Sequence, residues 1–68
     1  MSPAITLNGE AVETDPGTTI ADLVADRCPS PRGIAVAVNG EVLHRRSWEA
    51  AAVRAGDAVE IVTAAAGG

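Results

Sequence analysis

The stretch Ile34-Ala35-Val36-Ala37-Val38-Asn39-Gly40-Glu41-Val42-Leu43 carries the strongest structural signal in the chain. Its first five residues put Ile34, Val36 and Val38 on one face and Ala35 and Ala37 on the other. Asn39-Gly40 follows, the strongest two-residue hairpin signal, because both residues tolerate the positive φ that a tight primed turn requires. The spacing predicts a strand opened by Gly33, a turn, and an antiparallel return through Glu41-Val42-Leu43.

Toward the N-terminus, Cys28-Pro29-Ser30-Pro31 is a stop, since neither proline can continue a helical hydrogen-bond ladder. The helix it ends begins at Thr19-Ile20-Ala21-Asp22, a hydroxyl cap with an acid three residues on, and runs to about Arg27. Ile20, Leu23 and Val24 fall at i, i+3 and i+4 and form one apolar stripe, with Asp22 and Asp26 on the polar side. Before Asp15-Pro16-Gly17, the alternation in Ala4-Ile5-Thr6-Leu7 and Glu10-Ala11-Val12-Glu13 flanks a second Asn-Gly, Asn8-Gly9. This predicts a first hairpin with Ile5, Leu7 and Val12 facing inward.

Toward the C-terminus, Ser47-Trp48-Glu49-Ala50-Ala51-Ala52 reads as a short helical turn capped by Ser47, with Trp48 packed over one end of the sheet. Gly56-Asp57 turns the chain into a last strand, Ala58 to Thr63, whose Val59 and Ile61 face the core, and Ala64 to Gly68 leave as a flexible tail. The order β, β, α, β, β, short turn, β, with one helix able to cover one face of a mixed sheet of about five strands, predicts an α+β roll. Residues 1–68 make a single domain with a tail at 64–68.

Sixty-eight residues bury only about 60% of the surface that the unfolded chain exposes, which leaves no room for a large internal active site. The chain is 47% hydrophobic, leaning on Ala and Val, and Trp48 is its one aromatic residue. Its net charge of −4 sets it against nucleic acid and anionic membrane surfaces as partners and suits it to a basic patch on a larger protein. All five basic residues counted as Lys or Arg are arginines, so the chain cannot build isopeptide polymers on itself. The single Cys28 makes no internal disulfide, and no targeting or membrane-spanning pattern is present; the expected compartment is the cytoplasm.

The chemistry concentrates at Gly67-Gly68. Without a Cβ, the terminus can slide through a passage too narrow for any side chain. Its carboxylate is an anion at neutral pH and, as a nucleophile, can attack the α-phosphate of ATP in a partner's active site. The resulting acyl-adenylate has an electrophilic carbonyl carbon. The plainer reading of Gly67 and Gly68 is a frayed end.

With the short first hairpin, the Thr19-led helix with Leu23, the Val38-Asn39-Gly40-Glu41 turn, Arg45 followed by Trp48, Gly56-Asp57 before the last strand, and Gly67-Gly68, nearly the whole chain resembles the ThiS family, the ubiquitin-like β-grasp sulfur carriers of thiamine biosynthesis. The resemblance implies a protein cosubstrate with no catalytic residue or bound cofactor of its own. An E1-like adenylating enzyme, using ATP and Mg²⁺, would activate the Gly68 carboxylate. A persulfide sulfur donor would turn it into a thiocarboxylate, and thiazole synthase would receive the sulfur. Gly67, Ala66 and Ala65 would be the tail residues that partners recognise, and Arg45 a possible partner contact. His44 stands where related carriers often have proline, and Ala64-Ala65-Ala66 is smaller than the apolar residues common there.

Three other functions compete. The small subunit of molybdopterin synthase shares fold, diglycine and activation chemistry but is usually longer. A ubiquitin-like modifier would be joined to target lysines, and a plain interaction domain would have no use for Gly68.

Other residues read more simply. Cys28 past a helix end suggests packing rather than a persulfide relay, and His44 lacks the partners and spacing of a zinc site. Arg45 and Arg46 read as a solvated face or an intramolecular ion pair unless they anchor a partner's acidic residues. Asp22 and Asp26 fit capping and compensation of the helix N-terminal dipole rather than acid–base work. Ala35, Ala37 and Val62, on the face away from the helix, offer a docking patch.

Overall fold

In a computed structural model, described for residues 3–28 and 33–63, the elements fall in the order expected. They are β1 (Ala4–Leu7), β2 (Glu10–Glu13), α1 (Ile20–Arg27), β3 (Ile34–Val38), β4 (Glu41–Leu43), a 3₁₀ turn (Arg45–Ser47) and β5 (Ala58–Thr63). The strands form one sheet in the order β2-β1-β5-β3-β4, with the last strand in the centre. β5 runs parallel to β1, through Thr6 opposite Ala58 and Leu7 opposite Val59. It runs antiparallel to β3 from Val38 opposite Val59 to Ile34 opposite Thr63. The sheet is mixed, as expected, because its two hairpins are joined through a strand that arrives last.

Both hairpins turn on Asn-Gly with positive φ at each residue: 51° and 87° at Asn8 and Gly9, 53° and 85° at Asn39 and Gly40. That backbone follows the right-handed twist of the flanking strands, which is why the dipeptide fixes the register. In the helix, Thr19 and Asp22 form the full capping box: the Asp22 amide donates to Thr19 Oγ1 at 3.2 Å and the Thr19 amide to Asp22 Oδ2 at 3.0 Å. The two preceding helical amides are satisfied from outside. Ile20 donates to the Ala51 carbonyl at 2.9 Å and Ala21 to the Trp48 carbonyl at 3.1 Å. These bonds tie the start of α1 to the segment that crosses from the 3₁₀ turn to β5, leaving no orphan donor in its first turn.

The core lies between α1 and one face of the sheet. Ile20, Leu23 and Val24 pack from the helix against Ile5 and Leu7 of β1, Val36 of β3 and Val59 of β5. Val12, Ile34, Val38 and Ile61, on the same face as expected, are half-buried around it. Complete burial of one such side chain contributes about 1.5–3 kcal/mol.

Three details depart from the sequence expectation. The helical turn starts at Arg45, earlier than expected, and Ser47 is its last residue rather than its cap. The cause is Trp48, only 4% exposed, whose indole N–H donates to the Leu43 carbonyl at 3.0 Å. Burying that ring and satisfying its donor requires the chain to coil as soon as β4 ends. Its amides follow an i to i−3 pattern, Ser47 to His44 at 2.8 Å and Trp48 to Arg45 at 3.1 Å. Second, Val53, 6% exposed, joins the core from outside any regular element, held where its amide donates to the Thr18 carbonyl at 2.9 Å. Third, Asp26 sits in the last turn of α1 and approaches Arg27 at 3.7 Å, so only Asp22 serves the helix N-terminus.

Candidate functional site

The candidate site is built on the exit of β5. This strand has neighbours on both sides, and its last residue, Thr63, lies five positions before Gly68. Its backbone pairs with β1 at Ala58 and Val59 and with β3 out to Thr63, so β3 is the strand that accompanies it to its end. Gly68, Gly67, Ala66 and Ala65, the residues expected to react and to be recognised, lie outside the described residues.

Side chains alternate along β5. Val59 and Ile61 point to the core, while Glu60 and Val62 point to the face that the helix does not cover. The pairing sets Ala35 of β3 opposite Val62, Ala37 opposite Glu60, and Val42 of β4 opposite Ala37. Val42 and Val62 are 72% and 56% exposed, the large apolar side chains that the fold leaves in solvent among the described residues. Between them runs a shallow depression of about 140 Å³, lined by Ala35, Val36, Ala37, Val42, Glu60 and Val62. The expected patch of Ala35, Ala37 and Val62 is therefore assembled, and Val42 belongs to it as well. By alternation, the charged side chains on this open face are Glu13 and Glu60, and no strand places a cation there.

The other expected site residues are elsewhere. Arg45 is exposed and lines a hollow of about 320 Å³ on the helix side of the sheet with Val24, Cys28 and Trp48. It does not join the patch. The described residues give Arg45 and Arg46 no ion pair, in keeping with a solvated pair. His44 is exposed beside them, and among the described residues no group of three or more His, Cys, Asp or Glu is gathered as a metal would need. Cys28 caps the helix end, its amide donating to the Val24 carbonyl at 2.8 Å, and packs half-buried against the core. It also lines a second hollow with Asn8, Arg27, Ile61 and Thr63, a proximity to the β5 exit that sequence spacing gives no sign of.

Comparison with known proteins agrees with the fold and with the run of the chain. The model of the ThiS family matches residues 5–68, through both terminal glycines. Among solved structures, the chain is similar to the thiamine biosynthesis protein ThiS from Geobacter metallireducens. The two are 33% identical, with a TM-score of 0.72 and coverage of 88% of this chain and 91% of that one. No curated protein sequence matches significantly. No helix among the described residues is long and apolar enough to cross a membrane. With a family match across nearly its whole length and a β-grasp sheet like that of a solved member, the chain belongs to the ThiS family, the sulfur carriers of thiamine biosynthesis that its sequence resembles.

Proposed function

We propose that the chain carries sulfur on its C-terminal carboxylate and delivers it for formation of the thiazole ring of thiamine. The observation that carries this reading is the family match running to Gly68, on a chain whose last strand is the centre of the sheet. A carboxylate resists nucleophiles until one oxygen becomes a good leaving group. In the adenylating partner, a Gly68 oxygen attacks the α-phosphorus of ATP and pyrophosphate departs. The terminal sulfur of a persulfide then attacks the carbonyl carbon and AMP departs, leaving an acyl disulfide. A second thiol cleaves the S–S bond, becomes oxidised to a disulfide, and releases the thiocarboxylate, which thiazole synthase consumes. ATP and Mg²⁺ belong to the adenylating partner; this chain supplies the reacting Gly68, and Gly67 as the slim neck behind it.

The open face of the sheet is the surface on which that partner docks. Val62 stands on this face six positions before Gly68, which puts the patch on the part of the fold nearest in sequence to the reacting end. The chemistry of the face, small apolar residues and two exposed valines around Glu60, fits a flat apolar surface carrying a cation opposite the carboxylate.

The test is incubation with the host's adenylating enzyme, ATP, Mg²⁺ and a persulfide donor, followed by mass spectrometry of the C-terminal fragment. Replacement of one oxygen by sulfur at Gly68 is expected, and a terminus that stays unchanged refutes the carrier reading. Gly67→Val should block this conversion while the circular dichroism spectrum stays that of the native fold, because a Cβ at the neck jams a narrow channel. Normal conversion of that variant would sink the narrow-channel account.

A further inference from the structure

Asn8 does more than turn the first hairpin. Beyond Leu7 the main chain of β1 bends away into Gly9, and nothing of its backbone remains to pair with β5 past Val59. The side chain of Asn8 takes over. Its Oδ1 accepts from the Ile61 amide at 2.8 Å and its Nδ2 donates to the Ile61 carbonyl at 3.1 Å. Backbone groups of a strand alternate in direction, and those of Ile61 point away from β3 toward the side where β1 has ended. The bonds from β1 reach the Asp57 carbonyl from the Thr6 amide and the Val59 carbonyl from the Asn8 amide, each at 2.9 Å. The Asn8 carboxamide supplies the next rung at the same two-residue spacing, across a sequence separation of 53 residues.

We propose that Asn8 is a positioning residue for tail chemistry: its carboxamide closes the open side of β5 at Ile61 and so fixes the direction in which the last residues leave the sheet. On the other side, β3 pairs with β5 out to Thr63, so the two together hold the strand seven positions from Gly68. Without the clamp, β5 is secured at its exit by β3 alone and its end splays. The cost is then felt when the tail is offered to a partner, rather than in the chemistry that follows once Gly68 has been taken up.

A matched pair of turns makes this testable. Asn39 occupies the corresponding place in the second hairpin, and its side chain holds the entrance of β5, with Oδ1 accepting from the Ala58 amide at 2.9 Å and Nδ2 donating to Asp57 at 3.1 Å. Glycine tolerates positive φ, so Asn8→Gly and Asn39→Gly each delete a clamp and keep the turn. Asn8→Asp is the milder variant, keeping the acceptor for the Ile61 amide but setting a carboxylate oxygen against the Ile61 carbonyl. The measurements are amide hydrogen exchange at Ile61, and KM and kcat of the adenylating enzyme for the full chain.

Asn8→Gly should speed exchange at Ile61 selectively and raise KM several-fold with kcat kept, Asn8→Asp should do so less, and Asn39→Gly should leave KM unchanged. Faster exchange at Ile61 with an unaltered KM would overturn the positioning role, as would an equal rise in KM for Asn39→Gly. The kinetic half rests on the carrier function proposed above. If the wild-type chain is no substrate at all, that function fails, and selective exchange at Ile61 still decides whether Asn8 holds the exit.

Discussion

The two faces of the central sheet are made by the same strands and share almost no chemistry. On the inner face, Val36 and Val59 are each 1% exposed, pressed against Ile20 and Leu23 of α1. On the outer face the same two strands show Ala35, Ala37, Glu60 and Val62, with Val42 beside them in solvent. The fold's free energy lies on the inner face, because a single helix covers a single face and leaves the other in solvent. A substitution can then be sorted by face before its chemistry is considered. Inner-face changes should act on folding and, if the adenylating partner docks as proposed, outer-face changes on recognition.

The largest effect should come from Trp48→Ala. The ring is the bulkiest member of the core, and its loss removes apolar contacts from both α1 and the sheet and leaves the Leu43 carbonyl without its indole donor. Truncations of this kind cost about 3–5 kcal/mol, and native domains are stable by only about 5–15 kcal/mol, the small ones least. Urea denaturation should find the variant close to unfolded at room temperature. A loss below about 1 kcal/mol would mean that the thin core does not depend on its one aromatic ring.

Thr19→Ala should act more gently. It removes the hydroxyl that accepts from the Asp22 amide, and an N-cap lost in this way costs about 1 kcal/mol. The Ala51 and Trp48 carbonyls still accept from Ile20 and Ala21, so the helix start stays docked. A fall much beyond 2 kcal/mol would show that the cap also secures the β-bridge between Thr19 and Ala52.

What could be read from the sequence divides along a physical line. Local rules located both Asn-Gly turns, the Thr19 cap and the inward faces of β1, β2, β3 and β5, because each of these depends on residues within a few positions of one another. The placement of β5 between β1 and β3 was not legible, since it depends on pairings between distant parts of the chain. Val53 escaped because it sits in no periodic segment, and the onset of the 3₁₀ turn because it follows the needs of the Trp48 ring rather than the preference of Ser47 for caps. Of the candidate site, alternation brought out three of the patch residues, Ala35, Ala37 and Val62, while Gly67 and Gly68 lie outside the described residues. Val42 was missed, although its position opposite Ala37 follows from the Asn39-Gly40 register. The Asn8 clamp joins residues 53 apart, and no local pattern marks it.

The smallest effect on stability should come from the outer face. Val62→Asp and Val42→Asp place carboxylates on side chains already 56% and 72% exposed, so neither buries a charge, and the loss should stay below about 1 kcal/mol, the span of strand propensity that separates Val from Asp. Recognition should respond quite differently. A docked partner would have to desolvate the new carboxylate at the centre of an apolar contact, and Val62→Asp, nearer the tail and beside Glu60, should weaken conversion of Gly68 by the adenylating enzyme more than Val42→Asp does. The loss should lie in KM, since neither residue touches the reacting carbon. If both variants fold and are converted as the wild type is, the open face is bare surface, and recognition belongs to the tail or to the Arg45 side of the molecule. If they unfold, the outer face carries part of the fold's stability, and the division between the two faces is wrong.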